Sequence, residues 1–115
     1  MAVIRSITIE PGENTGWHYH PTQVQAVVVS GTLTRVLADG SVVTTRPGES
    51  LVELAGPDQV HIGINHEAEP VVILANFEEI EGCPFAVQVL SPSAALQDRA
   101  DRSAAIRLVG PAQNP

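Results

Sequence analysis

Apolar residues occur along the chain in runs of roughly five to seven, separated by turns rich in Gly, Pro, Asp and Asn. This rhythm is typical of an all-β domain, and the abundant Val and Ile residues favour strands. The predicted strands are Val3–Ile9, Val24–Val29, Thr32–Leu37, Val42–Thr45, Ser50–Leu54, Gln59–Asn65, Val71–Phe77 and Phe85–Leu90. With a further strand around the first histidines, about nine short strands with tight turns predict a sandwich or closed barrel.

The composition changes from Ser91 onward to Ala, Asp, Arg, Ser and Gln. Ser93 is suited to cap a helix of about ten residues, because a Ser hydroxyl can accept from a free N–H of the first turn. We expect this helix to pack on the outside of the barrel or on a partner subunit. The predicted organisation is a barrel over residues 1–92 and a helix and tail over residues 93–115, with a frayed end from Gly110 to Pro115.

The 115 residues suffice for one domain, and their charge restricts the partners. Six Arg, no Lys and thirteen acidic residues give a net charge of −7, which disfavours nucleic acids and anionic membranes. The absence of Lys excludes a Schiff-base lysine and a Walker-type phosphate loop.

The redox and targeting signals favour the cytoplasm. Cys83 is the single cysteine, which excludes an internal disulfide, and we expect it to be a buried or half-buried structural thiol. No apolar stretch approaches the roughly 20 residues that span a bilayer, and the first residues lack the basic and apolar regions of a secretion signal. We therefore expect a soluble, cytoplasmic protein.

Three histidines carry the clearest chemical signal. His18 and His20 are separated by one residue, so on a strand both side chains face one side, about 6.6 Å apart at a rise of about 3.3 Å per residue. His61 follows on a later strand and completes a metal-binding set if that strand lies opposite. Alternatively, all three are core or pocket histidines that bind no metal.

The surroundings of these histidines form a recognisable pattern. Gly12, five intervening residues, the sequence His18-Tyr19-His20 and then Gly31 after a Val-rich strand resemble the first motif of the cupin superfamily.

Later residues are similar to the second cupin motif. Gly48, Gly56, His61 and Asn65 correspond to residues of that motif, and the three residues between His61 and Asn65 are as in the family. The resemblance extends over about residues 2 to 90, and it implies a double-stranded β-helix, or jelly-roll barrel. It also implies that His18, His20 and His61 are metal ligands.

The sequence departs from the cupin pattern at two places. Where the family has a Glu ligand after the second His, this chain has Val24, or Gln25 at the next spacing. A bulge would turn Gln25 inward as a weak fourth ligand or hydrogen-bond donor. His61 comes two residues late, so either the loop is longer by two or Gln59 takes the ligand place. Asn65 either shapes a backbone turn or contacts the site, where it would orient a metal ligand or act as a fourth ligand.

The ligand set and pocket indicate the type of function. Three neutral imidazoles suit Fe, Zn, Ni, Mn or Cu as divalent ions, and Val24, Ala26 and Val28 predict apolar pocket walls. Glu53 and Asp58 are the nearest candidate general bases, although most such carboxylates are only solvated.

The resemblance implies a metal-dependent protein acting on a small oxygenated molecule, either a dioxygenase or an isomerase or cyclase. The alternative is a non-catalytic cupin that binds a small molecule or a metal. Uncapped sheet edges and faces also favour a homodimer.

Overall fold

The computed structural model describes residues 1–90 and 92–109, with side chains described up to residue 102. The expected all-β fold with a C-terminal helix is confirmed. The strands of the described residues are β1 (Ala2–Ile9), β2 (His18–Tyr19), β3 (Val24–Ser30), β4 (Leu33–Val36), β5 (Val42–Thr45), β6 (Ser50–Glu53), β7 (Ile62–Ile64), β8 (Val71–Glu78) and β9 (Val87–Gln88). A 3-10 helix covers Pro57–Gln59 and an α-helix, α1, covers Ala94–Val109.

The strands form a jelly roll of antiparallel sheets, as the double-stranded β-helix prediction requires. One sheet has the order β1-β8-β3-β6, a second has the order β5-β4-β7, and β2 pairs with β9. Of the two expected architectures, a sandwich and a closed barrel, the structure has the open one, because the hydrogen-bonded ladders do not run continuously around the fold. Isolated bridges at Asn14–Ile64 and His18–His61 connect the short strands instead.

The inner face of the four-stranded sheet forms the main core. Along β3, Val24, Ala26 and Val28 are buried, while Gln25 and Val29 on the other face are exposed. The main core contains Ile9, Val24, Ala26, Val28, Leu33, Leu51, Val71, Ile73, Ala75 and Phe77. These aliphatic residues come from β-branched runs in the sequence, so alternation along each strand predicts the inward face correctly.

Strands β4 and β7 are buried on both faces because α1 covers their outer side. Ala100 of α1 packs in a second cluster with Trp17, Val36, Ile62 and Ile64. The Nε1–H of Trp17 also donates to Oε1 of Gln97, at 3.0 Å. The predicted packing of the helix on the outside of the sheets is therefore confirmed.

The helix begins where the sequence predicts but continues further. The Ser93 hydroxyl oxygen accepts from the Leu96 N–H at 3.1 Å, which is the expected cap. The helix has 16 residues rather than about ten. The predicted frayed end over 110–115 lies outside the described residues, and the division at residue 92 remains a prediction.

Two further features concern the surface. Cys83 is exposed, so the expectation of a buried thiol is wrong, since the loop that carries it lies on the outside of the molecule. In the part of the chain that the structure describes, no helix is long and apolar enough to cross a membrane.

Candidate metal centre

His18, His20 and His61 come together inside the jelly roll. Their ligand atoms all lie within 4.8 Å of one another, and the three residues are between 4% and 7% exposed. The His18 N–H donates to the His61 carbonyl at 3.0 Å, and the His61 N–H donates back at 2.9 Å. Pairing of these two backbones brings together residues that are far apart in the sequence.

Each imidazole is held by a backbone carbonyl on its outer nitrogen. The Nδ1 atoms lie 2.8–3.0 Å from these oxygens: Gly16 for His18, Phe85 for His20 and Gln59 for His61. A carbonyl oxygen only accepts, so each Nδ1 carries a proton and each Nε2 of a neutral ring keeps its lone pair. Metal-binding histidines commonly have their second nitrogen oriented in this way.

Glu53, at the end of β6, is the fourth polar residue of the cluster. Its Oε1 lies 2.8 Å from Nε2 of His20 and its Oε2 lies 3.0 Å from Nε2 of His61. The sequence singled out Glu53 only as a candidate general base. A sharper signal was available, because Glu53 shares strand parity with the buried core residue Leu51 and must therefore face inward.

The cluster has an excess of electron-rich atoms. Among the described residues, His61 Nε2 has no hydrogen-bond partner, since its contact with Glu53 lacks hydrogen-bond geometry. Carboxylate oxygens and imidazole lone pairs at 2.8–3.0 Å repel one another unless protons or a cation lie between them. Imidazole and carboxylate donors suit divalent transition metals, so these residues fit such an ion.

The surroundings move the pKa values of the cluster in different directions. Burial lowers the pKa of His18 to about 4, with the Gly16 carbonyl opposing this effect only in part. Burial also acts to lower the pKa of His20, but the contact with Glu53 outweighs it and raises that pKa. Burial alone would raise the pKa of Glu53, yet the His20 and His61 imidazoles hold it well below its usual range. The His18 imidazole is therefore neutral at pH 7.

Arg35 on β4 adds a buried positive charge beside the carboxylate. Its side chain is 8% exposed, and Nη1 donates to Oε2 of Glu53 at 3.3 Å. The Nε atom of Arg35 is also buried and has no hydrogen-bond partner among the described residues. Arg35 shares an inward face with Leu33, so the same parity argument places it inside.

The polar cluster opens into a small cavity of approximately 70 Å³. Most of its remaining walls are aliphatic or aromatic: Ile7, Ile9, Val24, Ala26, Leu33, Leu51, Ile73, Ala75 and Phe77. The expectation of an apolar pocket beside the histidines is therefore met by Val24 and Ala26. Such walls exclude water and leave the polar residues as the anchoring groups.

The structure does not bring Gln25 to the cluster. Gln25 is exposed and pairs with Asn76 and Val52 on the face opposite to Val24. The register shift in β3 occurs between Val28 and Ser30, too late to rotate Gln25 inward. The expectation of Gln25 as a fourth ligand is therefore wrong.

Gln59 contributes its backbone and not its side chain. It ends the 3-10 helix Pro57–Gln59, which accommodates the longer loop, and its carbonyl orients His61. His61, and not Gln59, is the residue that joins His18 and His20 in the cluster, so the structure disagrees with the alternative in which Gln59 replaces it. Asp58 of the same turn is exposed and takes no part in the cluster.

Asn65 is fully buried, and its side chain stabilises a turn. Its Nδ2 donates to the carbonyls of Ile9 at 2.9 Å and Glu69 at 2.8 Å, and its Oδ1 accepts from the Glu67 N–H at 2.8 Å. These three contacts are all with backbone atoms, as the turn alternative predicts. Its suggested role around the metal ligands is wrong.

Comparison with known proteins agrees with this architecture. The family model described as Cupin domain matches residues 5–77. An uncharacterized conserved protein with a double-stranded β-helix domain from Klebsiella pneumoniae is 26% identical, over 65% of this chain and 64% of that chain, with a TM-score of 0.58. No curated protein matches the sequence.

Two more distant solved structures share the fold. The polyketide cyclase RemF from Streptomyces resistomycificus is 20% identical, over 84% of this chain and 66% of that one, with a TM-score of 0.65. The DMSP lyase DddQ from Ruegeria pomeroyi is 13% identical, over 80% of this chain and 45% of that one, with a TM-score of 0.67. The chain spans less than two thirds of the length of each of these three structures. The family match covers more than half of the sequence, and the chain belongs to the cupin domain family.

Proposed function

We propose that this cupin is a metal-dependent protein that acts on a small oxygenated molecule, with a divalent ion held by His18, His20 and His61. The observation that carries the proposal is the common orientation of the three imidazoles. Each has its Nδ1 bonded to a backbone carbonyl, which leaves Nε2 as the atom available to a metal. A set of core histidines without a metal would not need the same tautomer at every position.

The chemistry that we propose follows from the three imidazole donors and from the apolar walls of the cavity. Bound there, Fe, Zn, Ni, Mn or Cu would supply Lewis acidity toward a carbonyl or enolate oxygen. The opposite charges of Arg35 and Glu53 cancel, so a loaded site keeps the charge of the ion and suits an anionic oxygen. The apolar walls exclude water from the reacting group.

The reaction class that we propose is a dioxygenation or a redox-neutral isomerisation or cyclisation. The small cavity favours a compact substrate, or one compact part of a larger substrate. A cyclase and a lyase occur among the proteins of similar fold, which supports small-molecule chemistry as a class.

One observation favours a second function, binding without turnover. Glu53 lies against the Nε2 atoms of His20 and His61, so a metal there would have fewer free positions for a substrate. In that case the protein holds a metal or a metabolite and does not transform it.

We also propose that the protein works in the cytoplasm as a homodimer, with a small molecule and neither nucleic acid nor membrane as its partner. The outer face of the four-stranded sheet supports the dimer, because its apolar side chains are 41% to 63% exposed: Ile4, Val29, Val52 and Leu74. Sizing at micromolar concentration should give about twice the monomer mass of 12.2 kDa. A monomer in that experiment contradicts the dimer.

The test of the metal site is the metal content of protein purified without added metal or chelator. The wild type should contain near-stoichiometric metal, and the His18→Ala/His20→Ala double variant should contain none. His66→Ala is the matched control, since His66 lies outside the three-histidine cluster. Wild-type protein that contains no metal and takes up none on reconstitution would exclude this function. The ion found directs the assay, with oxygen consumption for iron and isomerisation or cyclisation for zinc or nickel.

A further inference from the structure

The position where the cupin pattern has its carboxylate ligand is occupied here by Val24, which has no donor atom. In the β3–β6 ladder, Val24 is directly opposite Glu53. Both residues line the cavity that contains the three histidines. Side chains of directly opposed residues in an antiparallel pair share one sheet face, with Cβ atoms about 4.5–5.5 Å apart. The carboxylate is thus one strand away from its expected place.

We propose that Glu53 is the fourth metal ligand, and that β6 supplies the carboxylate that β3 lacks. This inference rests on the proposed function, because it requires a metal at His18, His20 and His61. Glu53 is suited to the role because each of its oxygens lies within 3.0 Å of the Nε2 atom of a different histidine. A carboxylate placed there is close enough to share one ion with both imidazoles.

A purely structural role for Glu53, as the ion-pair partner of Arg35, accounts for less of the geometry. The contact with Arg35 is 3.3 Å and involves Oε2 only, whereas the contacts with His20 and His61 are 2.8 and 3.0 Å. Oε1 instead faces His20, with 2.8 Å between Oε1 and Nε2. Arg35 therefore orients one oxygen of the carboxylate and leaves the other oxygen for the metal ion.

The environment of Val24 is consistent with a carboxylate at position 53 instead of position 24. Its side chain is 1% exposed and packs in the main core beside Ala26 and Leu51. A carboxylate at position 24 in addition to Glu53 would bury a second negative charge in an apolar environment, which is costly. One carboxylate at either position 24 or position 53 is therefore sufficient for metal binding, and moving it from one position to the other should preserve the site.

The experiment measures zinc affinity by competition with a chromophoric chelator, and the visible spectrum of the cobalt-substituted protein. Glu53→Gln should weaken zinc binding by about 10- to 100-fold and change the cobalt spectrum, because an oxygen donor is lost. The exchange variant Val24→Glu/Glu53→Val should return the affinity to within about tenfold of wild type. Glu81→Gln, which removes an exposed carboxylate, is the control and should bind zinc as wild type does.

The outcomes separate this inference from the proposed function. Wild-type protein that binds no zinc overturns both. If zinc affinity and the cobalt spectrum are unchanged in Glu53→Gln, only the role of Glu53 is overturned. The same conclusion follows if the exchange variant folds but binds zinc as weakly as Glu53→Gln does. If Glu53→Gln does not fold, a crystal structure of the zinc-loaded wild type decides. A Glu53 oxygen at about 2.0–2.2 Å from zinc supports the inference, and a carboxylate bound to Arg35 alone overturns it.

Discussion

His18 and His61 are antiparallel partners whose backbones exchange two hydrogen bonds, at 3.0 and 2.9 Å. Their ring centroids are 4.3 Å apart as a direct result of this bridge. The bridge belongs to the backbone, so replacing either side chain removes an imidazole without removing the pairing. Variants at these positions are therefore suitable probes of the site, because the fold does not depend on the imidazoles for this contact.

The stability of the metal-free protein should fall as the pH decreases from 6.5 to 4. Burial lowers the pKa of His18 from 6.5 to about 4, so in this window the unfolded chain binds a proton that the folded protein does not. The loss should reach about 2–3 kcal/mol, measured by urea unfolding in the presence of a chelator.

The variant His18→Gln should flatten this part of the pH profile, while His66→Gln should keep it. The raised pKa of His20 affects a different pH range. It adds to the free energy of unfolding below about pH 6.5, and this addition is lost only as the pH rises through the folded-state pKa. The lowered pKa of Glu53 stabilises the folded protein above about pH 4.5, and this stabilisation is lost progressively as the pH falls below that value. A slope between pH 6.5 and 4 that persists in His18→Gln would contradict the assignment.

Ala100→Asp should detach α1 from the sheets. Ala100 is 5% exposed in the cluster that contains Trp17, so the substitution buries a charged carboxylate among apolar side chains. The stability should drop by about 2–4 kcal/mol, and the fluorescence of Trp17, the single tryptophan, should shift to longer wavelength. Ala95→Asp at an exposed position of the same helix is the matched control and should leave the emission unchanged. Emission that stays the same in Ala100→Asp would show that the helix does not cover Trp17 in solution.

Gly31→Ala should be much more damaging than Gly48→Ala. Both glycines have positive φ, at 74° and 87°, so alanine strains the backbone at either position by about 1–2 kcal/mol. A Cβ at Gly31 would also overlap the Pro70 carbonyl oxygen and lie 2.8 Å from Cα of Val71, whereas a Cβ at Gly48 meets nothing within 4 Å. Denaturant unfolding should show a loss above about 3 kcal/mol only for Gly31→Ala. Equal losses would disprove the steric argument.

Asn65→Ala should destabilise the fold and leave metal binding intact. The amide of Asn65 satisfies backbone groups of Ile9, Glu67 and Glu69, so its removal leaves buried polar groups unpaired at a cost of about 2–4 kcal/mol. Zinc affinity of the folded fraction should remain within about twofold of wild type, because the amide does not reach the histidines. A large loss of zinc affinity without a loss of stability would restore Asn65 to the metal site.

Local pattern was enough to predict several features correctly. The alternation of side chains along a strand places His18 and His20 on one face and Val24, Ala26 and Val28 toward the core. The cap at Ser93 is likewise a short-range feature, because the hydroxyl bonds to an N–H three residues later. Such features depend on residues close together in the chain, so the amino-acid sequence by itself determined them.

The composition of the metal centre was decided by the tertiary structure. The position of Glu53 opposite Val24 depends on the register between β3 and β6, which the sequence of neither strand specifies alone. The burial of Arg35 beside that carboxylate depends in the same way on how the two sheets face each other. Strand parity could assign a face to each residue, but only the paired and packed strands could assign its neighbours, because those contacts join distant parts of the chain.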